Sequence, residues 1–322
     1  SQSRFDSTGF ASIASITRSA APSILRTFIL AGLCFVILLP ILQKVSYAFR
    51  SPYSITNPQV MWIPDVFSTE ILEIAAAYLN YSQALPYTLL LAAVTAVIQV
   101  LSSAVAGYSF ARLKFKGNNI IFGLLIFTLV IPNETLYIAR NFHFTYNSFF
   151  GINLIFNAFS VYIMSAFGMG IRSGIFIYLF RQFFRGVPIE LEESAEIDGA
   201  GVIRTFWSVM LPNARGAIVT VSLFAFVWQY NDYHFATLFR LPQNLILTVK
   251  LASGSGNLAA LLMTSFRGLT AHLGTEIASD RLFFGLLINT AALLMMIPLL
   301  FGYFFVQRLF VQSIERTGLT GM

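Results

Sequence analysis

Charged side chains crowd into one stretch of a chain that is otherwise poor in charge. Residues 181–215 carry Arg181, Arg185, Glu190, Glu192, Glu193, Glu196, Asp198, Arg204 and Arg215. Such a stretch belongs in water or against a soluble partner. Its carboxylates suit ion pairing and the capping of backbone N–H groups. No cluster of catalytic residues can be assembled around them. His143, His234 and His272 are too dispersed for a metal site. There is no G-x-x-x-x-G-K-[ST] motif, so the chain carries no nucleotide-phosphate loop of its own. Residues Gly254, Ser255, Gly256, Asn257, Leu258 and Ala259 resemble G-x-G-x-x-A. Without a repeating strand–helix context they read as a flexible loop.

A second set of polar groups interrupts apolar runs, where an ionisable residue is by default a candidate for lining a cavity. Arg172 is the plainest case. Counted back from Arg185 at 1.5 Å per residue, it lies about 20 Å along a helix, deep within a hydrocarbon core about 30 Å thick. Three readings are open: contact with a ligand, an ion pair with Glu134 or Asp232, or snorkelling to an interface. Glu134 follows Pro132 and Asn133, so Asn133 and Glu134 either line a pathway or end a helix. Trp228, Gln229, Tyr230, Asn231 and Asp232 combine aromatic faces with hydrogen-bonding groups. They suit a sugar, or else an aromatic belt at the membrane surface. Gln99 and Asn289 are either cavity groups or interhelical hydrogen-bond partners.

The elements that must position these groups follow from composition. Of 322 residues, 57% are hydrophobic and 11% charged, against about 45–50% and 25% in soluble domains. Mean hydropathy is +0.73. These values exclude a soluble enzyme, a disordered chain, a nucleic-acid binder and a disulfide scaffold. The single cysteine, Cys34, lies in an apolar run and reads as a packed side chain. Charge-free runs fall at residues 27–43, 74–111, 117–133, 141–171, 216–231 and 282–307. Each supplies one spanning helix of about 20 residues. The fourth starts near Leu154 and continues past Arg172; if 152–171 and 173–184 are separate, there are seven. The expected fold is therefore an all-α membrane protein with about six transmembrane helices. Residues 1–26 form an N-terminal segment, 27–307 the membrane domain with an insertion at 186–212, and 308–322 a tail.

Orientation follows from Lys and Arg. Arg4, Arg18, Arg26, Arg112, Lys114, Lys116, Arg181, Arg185, Arg308 and Arg316 all fall on one side of a six-span chain, and Asp65, Glu70 and Glu73 on the other. Both termini and the insertion are expected to be cytoplasmic. The first 20 residues lack a cleavable-signal pattern.

Within the insertion, Pro188 suits the first turn of a short helix over about 188–198, acidic residues follow at its positive end, and Gly199 suits its stop. A second helical stretch carries Val202, Ile203, Phe206, Trp207 and Met210, and Pro212 ends it. Glu193, Ser194, Ala195, three residues, Gly199, Ala200 and then Val209, Met210, Leu211 and Pro212 resemble the EAA loop of ABC importer permeases: E-A-A, three residues, G, nine residues, I-x-L-P. The spacing is kept, with Ser194 and Val209 as departures. Residues 106–117, 179–184 and 230–233 are similar to segments of carbohydrate-uptake permeases of the MalG type, and the resemblance covers roughly residues 60–315.

That resemblance implies a bacterial inner-membrane, multi-pass permease with no cofactor bound by this chain. ATP and Mg would sit on two copies of a partner ATPase that dock on Glu193, Ser194, Ala195, Asp198, Gly199, Ala200, Leu211 and Pro212. It further implies a second and different permease subunit, an extracytoplasmic solute-binding protein, contact with membrane lipid and no nucleic acid. The matching family stretch is ordinarily apolar where Arg172 stands. A guanidinium binds a carboxylate through two parallel hydrogen bonds. The expected substrate is thus an acidic, uronate-containing oligosaccharide such as an alginate or pectin fragment, with a neutral oligosaccharide as the fallback. The alternative function is an ion-driven secondary transporter of a small polar solute.

Overall fold

A computed structural model of the chain describes residues 6–54, 63–146, 155–254 and 256–319. Among these the architecture is all-helical, and the one strand-like feature is an isolated antiparallel bridge between Arg50 and Phe67. The helices are α1 Asp6–Ala48, α2 Glu70–Leu79, α3 Tyr81–Arg112, α4 Asn118–Thr128, α5 Tyr137–Tyr146, α6 Phe159–Ala166, α7 Ser173–Gly186, α8 Glu190–Ile197, α9 Val202–Thr205, α10 Leu211–Asn213, α11 Arg215–Tyr230, α12 His234–Leu238, α13 Leu247–Ala252, α14 Gly256–Ser265, α15 Arg267–Leu273 and α16 Arg281–Leu319.

Among the described residues, three stretches are long and apolar enough to cross a membrane: Leu25–Ala48 in α1, Tyr81–Arg112 and Arg281–Arg308 in α16. A fourth is available if Val202–Asn213 and Arg215–Tyr230, bent by 80° at Ala214, act as one. The apolar runs at 117–133 and 141–171 fold differently from the expected single helices. The first gives only the 11-residue α4. The second does not continue through Arg172: α6 has eight residues and α7 begins at Ser173. The reason is local. Gly168 (φ +70°) and Arg172 (φ +53°) both take the left-handed conformation, which no α-helix can pass through.

The chain divides into two compact units. One comprises residues 1–75 and 266–293, the other residues 76–265 and 294–322. In the first, Leu25–Ala48 leaves most of its apolar side chains exposed, as a lipid-facing helix would. Asn289 Oδ1 accepts a hydrogen bond from Lys44 Nζ at 2.7 Å, tying α1 to α16. Asn289 Nδ2 donates to the Gly285 carbonyl at 2.8 Å.

The second unit is built on α3. Its buried face runs Ala92, Ala96, Gln99, Ser103, Ala104 and Gly107, mostly small residues at helical spacing. Small residues let helices approach closely where no hydrophobic effect drives them together. Against this face pack Phe176, Phe180 and Phe184 of α7 and Ala217, Val221 and Ala225 of α11, each set at i, i+4, i+8. The closest approach is at Gly107. A Cβ there would lie 2.5 Å from the Phe180 Cβ and 3.0 Å from the Arg181 backbone nitrogen. Gly107→Ala therefore forces α3 and α7 apart at a cost of about 1–3 kcal/mol. A lower melting temperature of the solubilised protein is the expected result, and an unchanged one contradicts this packing. A second cluster joins Leu91, Val161, Met164, Phe235, Phe239 and Leu241.

Phe206–Met210 is a π-helical turn between α9 and α10. Pro212 follows it and has no N–H to donate to the Ser208 carbonyl, so the regular ladder is interrupted at that point. The sharp bend itself falls at Ala214, which is fully buried.

Candidate functional site

Two groups of residues stand out, and both lie in the second unit. The first is α8 and its surroundings. Ile189 precedes the helix, and Glu190, Glu192 and Glu193 occupy its first turn, where carboxylates meet the positive end of the helix dipole. Gly199 closes it at φ +78°: its N–H donates to the Glu196 carbonyl and that of Ala200 to the Ala195 carbonyl, both at 2.9 Å. This is the expected glycine stop, with the left-handed geometry that a side chain disfavours.

α8 presents two faces. Ala195 is buried against the protein. On the same side Glu192 Oε1 lies 3.2 Å from Arg112 Nε at the end of α3, and both side chains are nearly buried, at 13% and 12% exposure. The Arg112 guanidinium also donates to the Val187 carbonyl just before α8. Burial raises the Glu192 carboxyl above its ordinary value, Arg112 opposes this and Glu196 adds to it. Desolvation thus outweighs the pairing, so the pair fixes the position of α8 more than it stabilises the fold. The other face is open. Glu193, Ser194 and Asp198 are exposed, and the Ser194 hydroxyl only bonds back to the Glu190 carbonyl at 2.7 Å. Exposed apolar residues surround them: Ile197 at 86%, Ile203 at 76%, and Val202 and Trp207 at about half. Ala200 and Leu211 are half-buried, and Pro212 is exposed.

The second group surrounds Arg172. This exposed residue caps the start of α7, and its guanidinium sits 5.0 Å above the Trp228 ring. Trp228 stacks on Phe176 at 5.3 Å and on Phe224 at 5.4 Å. The result is a cation at the end of a partly exposed aromatic ladder. The cation–π contact was not among the sequence readings of Arg172, nor was Phe224, although its position four residues before Trp228 places both on one face of α11.

The other candidates are placed elsewhere. Gln99 is fully buried, and its Nε2 donates to the Ile171 carbonyl at 2.8 Å and to Ser173 Oγ at 3.2 Å, bracing the break between α6 and α7. Tyr230 is fully buried, with its hydroxyl donating to the Met295 carbonyl at 3.0 Å. Asn231 bonds back to the Val227 carbonyl. The Asp232 carboxylate accepts from the Phe235 and Ala236 N–H groups at 3.2 and 3.1 Å and so caps α12. It is not the ion-pair partner of Arg172. Asn133 and Glu134 fall in the turn Asn133–Leu136, and their side chains lie outside the described residues. Among the described residues no group of three or more His, Cys, Asp or Glu could hold a metal ion.

Residues 100–316 match the family described as binding-protein-dependent transport system inner membrane component. The chain is similar to a maltodextrin transport system permease protein of Bacillus subtilis, 28% identical over 90% of this chain and 93% of that one. It is also similar to a probable ABC transporter permease of Pyrococcus horikoshii, 26% identical over 52% of this chain and 59% of that one. Its fold matches the crystal structure of a bacterial ABC transporter involved in import of the acidic polysaccharide alginate, with a TM-score of 0.68, 20% identity, and coverage of 90% of this chain and 97% of that one. A secondary transporter is not what these relatives are. The chain belongs to the binding-protein-dependent transport system inner membrane component family and is a permease subunit of the ABC importer kind, a transport component and not an enzyme.

Proposed function

We propose that this chain is one half of the membrane pathway of a carbohydrate importer, and that α8 docks in a groove of a separate ATPase subunit. The observation that carries the docking is the pairing of two faces on one short helix. Its inner face is clamped to α3 through Glu192 and Arg112, and its outer face offers Ile197 beside Glu193, with Asp198 at its end and Ile203 exposed on the following α9. An apolar patch rimmed by charge is what a protein interface requires. A helix held at its base transmits a push from the ATPase into α3 and, through Val202–Asn213, into α11. ATP and Mg belong to two copies of that ATPase. The remaining partners are a second, different permease chain and an extracytoplasmic solute-binding protein. The carbohydrate class is supported by the printed function of the Bacillus relative. The acidic, uronate-containing substrate is supported by Arg172 beside Trp228: a guanidinium for a carboxylate and an aromatic face for a sugar ring.

In this reading the chain crosses the membrane about six times, with the shorter helices meeting at breaks, and both termini and α8 face the cytoplasm. A cysteine at position 196 in a Cys34→Ser background tests both claims. It is expected to react with an impermeant maleimide only in inside-out vesicles, and to be protected there once the ATPase is bound. Labelling from outside intact cells overturns the orientation, and full reactivity in the assembled complex overturns the docking.

A further inference from the structure

A basic cavity lies beside α8, sharing only Arg112 with the clamp described above. A cavity of about 550 Å³ opens between the end of α3, the start of α4 and the last turns of α7. Arg112, Lys114, Lys116, Arg181 and Arg185 line it, and no carboxylate does. Glu192 is the acidic group that reaches its edge, and it is taken up by Arg112. Among the described residues no carboxylate lies within ion-pair distance of Lys114, Lys116 or Arg185.

Arg181 is held in place. Its guanidinium carbon lies 3.8 Å from the Phe122 ring centroid, and its Nε donates to the Phe110 carbonyl at 3.3 Å. Its terminal N–H groups are left for another acceptor. Asn118 and Asn119, at the N-terminal turn of α4, add two amides, and Phe110, Ala111, Leu113 and Phe115 supply the apolar part of the lining. With Arg112 paired to Glu192, Lys114, Lys116, Arg181 and Arg185 leave four positive charges around one cavity, and their mutual repulsion is offset when an anion enters.

The surroundings say where that anion comes from. α4 rises from the rim of the cavity and buries none of its residues. Ile120, Leu124 and Phe127 are exposed at i, i+4 and i+7, one apolar stripe along the helix. A headgroup in the cavity would leave its acyl chains lying on that stripe. We propose that this cavity is a binding site for the phosphate headgroup of an anionic membrane phospholipid, with the lipid tails packed along α4. Basic pockets between helices at a membrane surface recognise such headgroups.

Native mass spectrometry of the purified complex, supplied with equal amounts of dioleoyl-phosphatidylglycerol and dioleoyl-phosphatidylcholine, tests this. The two lipids share their chains and differ in net charge. The wild-type complex is expected to retain phosphatidylglycerol preferentially. Lys114→Gln, Lys116→Gln and Arg185→Gln together are expected to lower that preference at least about tenfold. Lys114→Arg with Lys116→Arg keeps the charge and is expected to keep the preference. Equal retention of the two lipids by the wild type, or an unchanged preference in the neutralised variant, overturns the site. Displacement of the lipid by millimolar inorganic phosphate makes it a site for the free anion and overturns the lipid. Retention by the membrane subunits alone but not by the complex that carries the ATPase assigns the cavity to that protein and overturns the lipid as well.

Discussion

Glu193→Ala and Gly199→Val are expected to abolish transport while the chain still inserts at normal levels. Both residues lie on or at the end of α8, outside the helices that pack in the second unit, and both are exposed. Neither change opens a cavity or breaks a core contact. Gly199 has φ +78°, and an added Cβ would meet nothing within 4 Å. The penalty is therefore conformational: a β-branched residue in the left-handed region costs about 1–3 kcal/mol. α8 relieves it by continuing past Ile197, which turns its outer face away from a partner. Among the described residues no cation lies within ion-pair distance of the Glu193 carboxylate, so its loss is felt only by a docked protein. A charged group buried on docking and then truncated costs about 2–5 kcal/mol at an interface. Substrate-stimulated ATP hydrolysis in the reconstituted complex is expected to fall at least tenfold, which needs only about 1.4 kcal/mol. Normal stimulation and uptake in both variants would remove α8 from the coupling path.

Arg172→Gln is expected to reduce uptake of an acidic oligosaccharide at least about tenfold, on the basis that a charge-assisted hydrogen bond contributes about 1.5–3 kcal/mol. The residue is exposed beside Trp228, and its guanidinium edge is available to a carboxylate while its face rests on the ring. The backbone does not confuse the result, because Arg and Gln meet the same left-handed constraint at φ +53°. Arg172→Lys keeps the charge but loses the planar fork, and is expected to fall between the two. A variant that fails to assemble would make the Arg172–Trp228 contact structural. A wild-type complex stimulated only by neutral sugars would rule out the acidic substrate.

The legible parts of the sequence were those written in local chemistry. The acidic first turn, Gly199 and the Leu211–Pro212 pair mark α8 and its exit, and the helix found at Glu190–Ile197 lies within two residues of the expected ends. The helix breaks were less legible. Charge-free runs record where charge is tolerated and are silent on backbone conformation. The run at 141–171 therefore leaves open whether the chain continues past Arg172 or breaks there, and the break is decided by the left-handed Gly168 and Arg172. Arg172 stands mid-helix in one reading and between two segments in the other, and it is found at the N-cap of α7, between them. The polar groups at 230–232 suit either a sugar or an aromatic belt at the membrane surface, yet Asp232 serves the N-terminus of α12, accepting from the Phe235 and Ala236 N–H groups. Arg112 read only as a topology signal. Its pairing with Glu192 joins residues 80 positions apart in sequence, and nothing local encodes that contact.

The central claim is that α8 is the contact point for an ATPase. A photo-crosslinking residue at position 197, whose native isoleucine is 86% exposed, tests it most directly. In membranes from cells carrying the whole transporter, illumination is expected to join this chain to a nucleotide-hydrolysing subunit. A control position at Phe301, exposed on the apolar α16, is expected to give no such product. A crosslink at 197 to lipid alone, or to any protein other than an ATPase, would contradict the account.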